Sequence, residues 1–223
     1  APDAETVTFA SLGDIGADAN ADAVLTELGR SDTDLALVVG DLSYGRTGTE
    51  KKWCAFVKER VGDTYPFEVV AGNHESNGKN GNINDFSACL PNQLPGLVGT
   101  YGRQYYVDVP QDRPLVRFLM ISPGIEYPGR DYKFNLGETD YLWTQQAIDS
   151  ARDAGIPWVV VGAHKPCLSI GRYECESGPD LMSLLLDRRV DLVLHGHEHF
   201  YQRTHQLADG TKGCPTLEPG TFN

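Results

Sequence analysis

The sequence has no apolar run long enough to cross a bilayer. Stretches such as Trp158–Val161 fall far short of the ~20 residues that a spanning helix needs. It has no excess of positive charge either. Nineteen Lys and Arg stand against 31 Asp and Glu, a formal net charge of −12. A surface that acidic argues against non-specific partnership with nucleic acid or anionic membranes, both of which need a basic footprint. No Cys-x-x-Cys pair is present, which argues against a zinc ribbon or a thioredoxin-like redox centre. No repeat, low-complexity tract, linker or secretory leader pattern is read along the chain. What is present is enough apolar material, 40% against 22% charged residues, to bury a core, and the 223 residues are read as one domain.

Five cysteines are an odd number. The chain opens on Ala1 rather than Met, from which a processed start and a secreted or other disulfide-permissive compartment are expected. Cys167 and Cys175 can close a short loop, and Cys54 with Cys89 is then the natural second pair. Cys214 is left over, in a Pro/Gly-rich ending (CPTLEPGTFN) with no closing element. The expectation is a native chain that continues past Asn223 and supplies Cys214 with a partner; a free surface thiol is the alternative.

Apolar runs alternate with helical patterns in the manner of repeated βα units. Strands are expected at 7–12, 35–39, 67–71, 158–163 and 191–195, and helices at 19–28, 49–61, 139–154 and 180–188. Segments 105–109 and 115–122, separated by a Pro-bounded turn, read as an antiparallel hairpin. Residues 75–104, rich in Gly, Asn and Pro, read as a long functional loop without regular structure.

Five of the strands are followed at once by residues able to bind metal: Gly13-Asp14-Ile15-Gly16, Gly40-Asp41-Leu42-Ser43-Tyr44, Gly72-Asn73-His74-Glu75, His164 after Ala163, and Gly196-His197-Glu198-His199. Ligand sites of α/β proteins lie beyond the carboxyl ends of their strands, where separate loops converge. Each segment alone has an ordinary reading as a helix cap or a turn. Five at one edge do not. Two Asp, one Asn and three His form a mixed O/N set that suits two adjacent first-row metals better than one structural zinc. His195 reads as a strand-end packing residue and His205 as exposed.

The ordered set GD-x-G, GD-x-x-Y, GNH-E, V-x-x-H and GH-x-H resembles the calcineurin-like metallophosphoesterase superfamily, and specifically its purple acid phosphatase branch. The run His197-Glu198-His199-Phe200-Tyr201-Gln202-Arg203 is similar to the HxHxYER run of that branch. The resemblance implies an α/β fold of four α/β/β/α layers with mixed sheets, some of whose C-terminal elements residues 1–223 would lack. It implies that Asp41 bridges two metals, that Asp14, Tyr44 and His199 complete the first site, and that Asn73, His164 and His197 complete the second. Tyr44 would supply a phenolate, a hard donor for Fe(III), beside a divalent Zn, Mn or Fe. The implied activity is hydrolysis of small phosphate monoesters by a metal-bound hydroxide. His74 would stabilise the transition state or protonate the leaving group, and Glu75 either orients it or is simply solvated.

One departure bears on the substrate. The branch carries extra histidines in the loop after V-x-x-H, whereas residues 165–175 here contain none, so Arg172 or Arg103 is the candidate for the missing phosphate contact. A phosphodiesterase or nucleotidase on the same metals stays open, as does a non-catalytic binding module of this fold. The acidity does not exclude a phosphate ester. Fe(III) plus a divalent ion adds about +5, while Asp14, Asp41, a phenolate and one hydroxide bring about −4.

Overall fold

Leu35–Val39 is apolar at every position, a pattern that a strand tolerates only when both of its faces are covered. All five residues are buried. Leu35, Leu37 and Val39 join one apolar cluster with Val70, Val107, Phe118 and Met120. Ala36 and Val38 face the other way, into a cluster with Leu25, Leu28, Trp53 and Val57. The alternation of side chains along the strand therefore sets a second sheet on one side and helices on the other.

The computed structural model describes residues 6–76 and 80–207. In chain order the elements are β1 (Phe9–Leu12), α1 (Ala19–Leu28), β2 (Leu35–Val39), α2 (Glu50–Val61), β3 (Phe67–Val70), α3 (Ile83–Cys89), β4 (Val98–Thr100), β5 (Gln104–Val109), β6 (Val116–Ile121), β7 (Glu126–Tyr127), β8 (Arg130–Asp131), α4 (Thr139–Asp153), β9 (Trp158–Ala163), α5 (Pro179–Asp187) and β10 (Leu192–His195). One sheet runs β1-β2-β3 and is parallel throughout. The other runs β10-β9-β6-β5-β4, with β6, β9 and β10 parallel and β4, β5 and β6 joined antiparallel. In that sheet Phe118, Met120 and Val160 point at the first sheet. Leu119, Ile121, Val159 and Val161 cluster instead with Ala147, Ile148 and Ala151 of α4 and with Leu181, Leu184 and Leu185 of α5. The layers are helix, sheet, sheet, helix.

Helix ends follow the local chemistry. The Asp18 carboxylate accepts from the amides of Asn20 and Ala21 at 3.0 Å and caps α1. Thr49 caps α2 through Lys52 N, and Gly62 ends it at φ 96°, where a side chain would be strained.

The expected loop at 75–104 is corrected: it contains α3 and β4. Only Ile83 and Phe86 of α3 are buried, too few to show a helical stripe in sequence. What holds this short helix is tertiary. Phe86 packs edge-on against Trp53 at 5.4 Å between ring centroids, and Cys89 is bonded to Cys54. The second disulfide joins Cys167 and Cys175. Cys214 and the question of its partner lie outside the described residues. The strand expected at 7–12 begins at Phe9, that at 67–71 ends at Val70, and the small β7–β8 hairpin was not read in the sequence. No helix among the described residues is long and apolar enough to cross a membrane.

One buried charge is unrelated to the strand ends. Glu68, wholly buried on β3, accepts from Gln93 N at 3.1 Å through Oε1, while Oε2 finds no partner among the described residues. Burial pushes its pKa up to about 7 from 4.5. The native state therefore holds the proton more tightly than the unfolded chain does. The contribution of Glu68 to stability is complete below pH 4.5 and is lost as pH rises through about 7. Glu68→Gln is accordingly expected to match the parent in urea unfolding at pH 4.5, and to exceed it at pH 8 by ~1–3 kcal/mol.

Candidate metal centre

All five motif segments begin where a parallel strand stops. Pairing between β1 and β2 continues past the strand ends: Asp14 N donates to Gly40 O, Ile15 N to Asp41 O and Gly16 N to Leu42 O, at 2.8–3.0 Å. Pairing between β9 and β10 continues likewise through Gly196 N to His164 O at 3.1 Å. Beyond these bonds the backbone turns sharply. Among the described residues six non-glycine residues have positive φ, and five are motif residues: Asp14 (54°), Asp41 (52°), Tyr44 (51°), His197 (75°) and His199 (55°). Such conformations cost free energy and cluster where side chains are aimed for function. The adjoining glycines are compelled by close approach. A Cβ at Gly72 would lie 2.1 Å from Asp41 Oδ1, and one at Gly196 would lie 2.6 Å from Asp14 Oδ2.

Two groups of donors result, sharing Asp41. In one, the Tyr44 hydroxyl lies 3.0 Å from Asp14 Oδ1 and 2.9 Å from His199 Nε2, with His199 Nε2 3.1 Å from Asp14 Oδ1. In the other, His164 Nε2 lies 3.0 Å from Asn73 Oδ1, 3.1 Å from His197 Nδ1 and 3.3 Å from Asp41 Oδ1. Donors sharing one first-row ion at ~2.0–2.2 Å sit about 3 Å from one another, so both groups have the spacing of a coordination shell. The ion-pair partners of Asp14 and Asp41 among the described residues are histidines. The first group opens into a cavity of about 390 Å³ lined by Gly13, Asp14, His195, Gly196, His199 and Phe200.

The electrostatics suit cations. Burial opposes charge on Asp41, but a hydrogen bond and the charge of His164 outweigh it and hold the carboxyl below its usual range. His164 answers: burial would lower its pKa, and Asp41 raises it. Burial together with the carboxylates of Asp14 and Asp41 drives the Tyr44 phenol far above its ordinary value. Burial and the neighbouring His164 lower His197, which leaves its Nδ1 lone pair available.

His74 is brought to the rim of the pair, its Nε2 3.7 Å from Asp41 Oδ2. Its Nδ1 meets Asn80 Oδ1 at 2.5 Å, and since an amide oxygen only accepts, Nδ1 carries the proton. The expectation that Glu75 orients His74 is therefore corrected. Glu75 is buried and accepts from three backbone amides instead, Asp41 N and Gly72 N at 3.0 Å and Leu42 N at 2.9 Å. It ties the two loops together from beneath, and burial together with the Asp41 charge pushes its pKa up to about 7.

Neither arginine reaches the donors directly. Arg103 lies over the Tyr127 ring at 4.4 Å and donates to Asn84 Oδ1 at 3.0 Å. Arg172 folds over its neighbour Tyr173 and donates to that hydroxyl. His195 is half-buried, and burial pulls its pKa down to about 4; His205 is exposed.

Two further residues join the centre without a sequence signal. Glu176 Oε2 lies 2.9 Å from His197 Nε2, an ion-pair contact without hydrogen-bond alignment between two buried atoms, while its Oε1 pairs with Lys165 Nζ at 3.1 Å. A carboxylate this close to Nε2 favours the tautomer with its proton there, which leaves Nδ1 free as a donor atom. Tyr173 stacks on the His197 ring at 4.1 Å and 25°.

The Glu75 arrangement makes a testable difference between two substitutions. Glu75→Ala strands three buried amides and is expected to cost ~3 kcal/mol or more in thermal or urea unfolding. Glu75→Gln keeps an acceptor for Asp41 N and Gly72 N but turns its NH2 onto Leu42 N, and should cost less than Glu75→Ala.

Residues 7–201 match the calcineurin-like phosphoesterase family. Purple acid phosphatase 22 of Arabidopsis thaliana is 29% identical over 212 residues, which cover 91% of this chain and 46% of that protein. Purple acid phosphatase 23 of the same plant is 25% identical over 239 residues, covering 94% and 50%. Phosphoenolpyruvate phosphatase of Allium cepa is 25% identical over 222 residues, covering 93% and 44%. The chain thus spans about half the length of the curated relatives it matches. A purple acid phosphatase isolated from yellow lupin (Lupinus luteus) seeds shares the fold, with a TM-score of 0.64 at 19% identity over 86% of this chain and 37% of that one. The matched span contains both sheets and all seven donors, and the chain belongs to the calcineurin-like phosphoesterase family.

Proposed function

We propose that residues 1–223 form the catalytic domain of a purple acid phosphatase-type enzyme that hydrolyses small phosphate monoesters in an extracytoplasmic compartment. The observation that carries this is the pair of donor groups joined by Asp41, one of which includes the Tyr44 phenol. Asp14, Asp41, Tyr44 and His199 would hold Fe(III). Asp41, Asn73, His164 and His197 would hold a divalent ion, Zn, Mn or Fe. Tyr44 supports the trivalent assignment on physical grounds. A phenolate flanked by the Asp14 and Asp41 carboxylates is strongly disfavoured unless a highly charged hard cation lies among all three. Bound there, the two ions supply Lewis acidity and neutralise charge as it shifts in an in-line displacement at phosphorus.

The remaining roles belong to side chains. His74, held at Nδ1 by Asn80, presents Nε2 toward the centre, where in its protonated form it donates to the ester oxygen as the P–O bond breaks. Glu75 keeps the loops that carry Asp41 and Asn73 in register. Glu176 keeps Nδ1 of His197 aimed inward. The monoester assignment is supported by the relative named for phosphoenolpyruvate, itself a phosphomonoester. Two disulfides among the described residues support an oxidising compartment.

Loaded with iron and a divalent ion, the protein is expected to show a visible phenolate-to-iron absorption band. Tyr44→Phe should lose the band while divalent metal content persists, and an active parent with no iron by elemental analysis would overturn the iron assignment. His74→Ala is expected to lower kcat on 4-nitrophenyl phosphate by ~10²–10⁴-fold with both metals retained. Faster turnover of a bis-phosphodiester than of the monoester would reverse the substrate class.

A further inference from the structure

His197 and His199 both turn toward the other candidate donors, while the residue between them points away. That residue is Glu198, and its carboxylate is the meeting point of a second loop. Ser169 Oγ donates to Oε1 at 2.7 Å, Tyr173 N donates to the same oxygen at 3.0 Å, and Arg172 N donates to Oε2 at 3.4 Å. Gln202 repeats the contact four residues on: its Oε1 accepts from Ile170 N and its Nε2 donates to Leu168 O, both at 3.0 Å. The loop so gripped is the one closed by Cys167–Cys175. Gly171 fits beneath the carboxylate only because it has no side chain, since a Cβ there would lie 2.3 Å from Glu198 Oε2.

Docking has a consequence at the centre. It lays Tyr173 flat on His197 and sets the Arg172 guanidinium against the Tyr173 ring at 4.5 Å, so that one tyrosine contacts both the histidine and the cation. The metal motif therefore holds the loop, and the loop covers the motif. We propose that Glu198 is a positioning residue: by docking the disulfide-closed loop it places Arg172 beside the centre and sets affinity for the phosphate group, without touching the reacting atoms. This rests on the phosphoesterase reading above. Arginine suits the task because its planar donors match phosphate oxygens in pairs.

The test uses the metal-loaded protein and two readouts that need no turnover. The first is tryptic cleavage after Arg172, which leaves two fragments joined until Cys167–Cys175 is reduced. The second is the Kd for inorganic phosphate by calorimetry. Glu198→Ala is expected to speed the cleavage at least tenfold and to weaken phosphate binding by about tenfold, with metal content and the visible band retained. Gly171→Ala, which displaces the carboxylate while leaving its charge, is expected to do the same. Arg172→Ala should weaken phosphate to a similar degree, and combining it with Glu198→Ala should add little. Unchanged cleavage in both loop variants would overturn the clamp. Faster cleavage with unchanged phosphate affinity would overturn its role in binding, and loss of metal in Glu198→Ala would assign the residue to the ligand histidines instead. Absence of ester turnover by the parent would sink the phosphatase assignment while leaving these two readouts to decide the clamp.

Discussion

The centre depends on one buried imidazole that belongs to both sheets. His164 follows β9 of the mixed sheet, yet its Nδ1 lies 2.8 Å from the carbonyl of Val39, the last residue of β2 in the parallel sheet. A carbonyl oxygen only accepts, so Nδ1 carries the proton and Nε2 is left to face Asn73, Asp41 and His197. One hydrogen bond therefore sets the spacing of the sheets at the donor end and the tautomer of a ligand together. It is buried on all sides, where an unmade bond would cost the full desolvation of the ring. His197 N reinforces the same joint, donating to Asp14 Oδ2 at 2.8 Å from the opposite sheet.

Around this joint the chain stores unfavourable terms and offsets them locally. Five donor residues sit at positive φ, and the carboxylates of Asp41 and Glu75 share a buried space. The offsets are backbone hydrogen bonds that carry the strand pairing into the loops and the three amides that converge on Glu75. Glu75 is thus less a partner of His74 than a substitute for a turn, joining the loops after β2 and β3 where the sheet itself has ended. Asp14, Asp41 and His164 are thus each aimed by backbone that other backbone holds.

The strands and the donors were legible in the sequence for the same reason. Apolar runs stop at glycine, and the next polar residue faces the converging ends, so Asp14, Asp41, Asn73, His164 and His197 could each be read from their own short segments. What was not legible depends on contacts distant in sequence. Helix α3 has two buried residues and owes its place to Trp53 and to Cys54. Glu75 stands beside His74 in sequence, whereas two of the three amides that set its acceptor role lie more than thirty residues away. Glu176 and Glu198 looked like two of many acids on an acidic chain, and only the return of the 165–177 loop gives each a partner.

That last point changes the meaning of the acidic composition. The carboxylates at the centre are not a solvated surface. Asp41 and Glu75 are buried, Glu176 is turned onto His197, and Glu198 is held by three donors of a loop. Asp41 and Glu75 therefore act on their neighbours at short range, where the local dielectric is low and salt screens little. The exposed acids act differently, at distances over which salt screens them, and they disfavour large polyanions more than a single phosphate. A centre whose own carboxylates are already engaged by amides and imidazoles can, once it holds two metal ions, present net positive charge inside a chain of net charge −12. Burial and pairing decide the sign of the field at the site; the sum over the sequence does not.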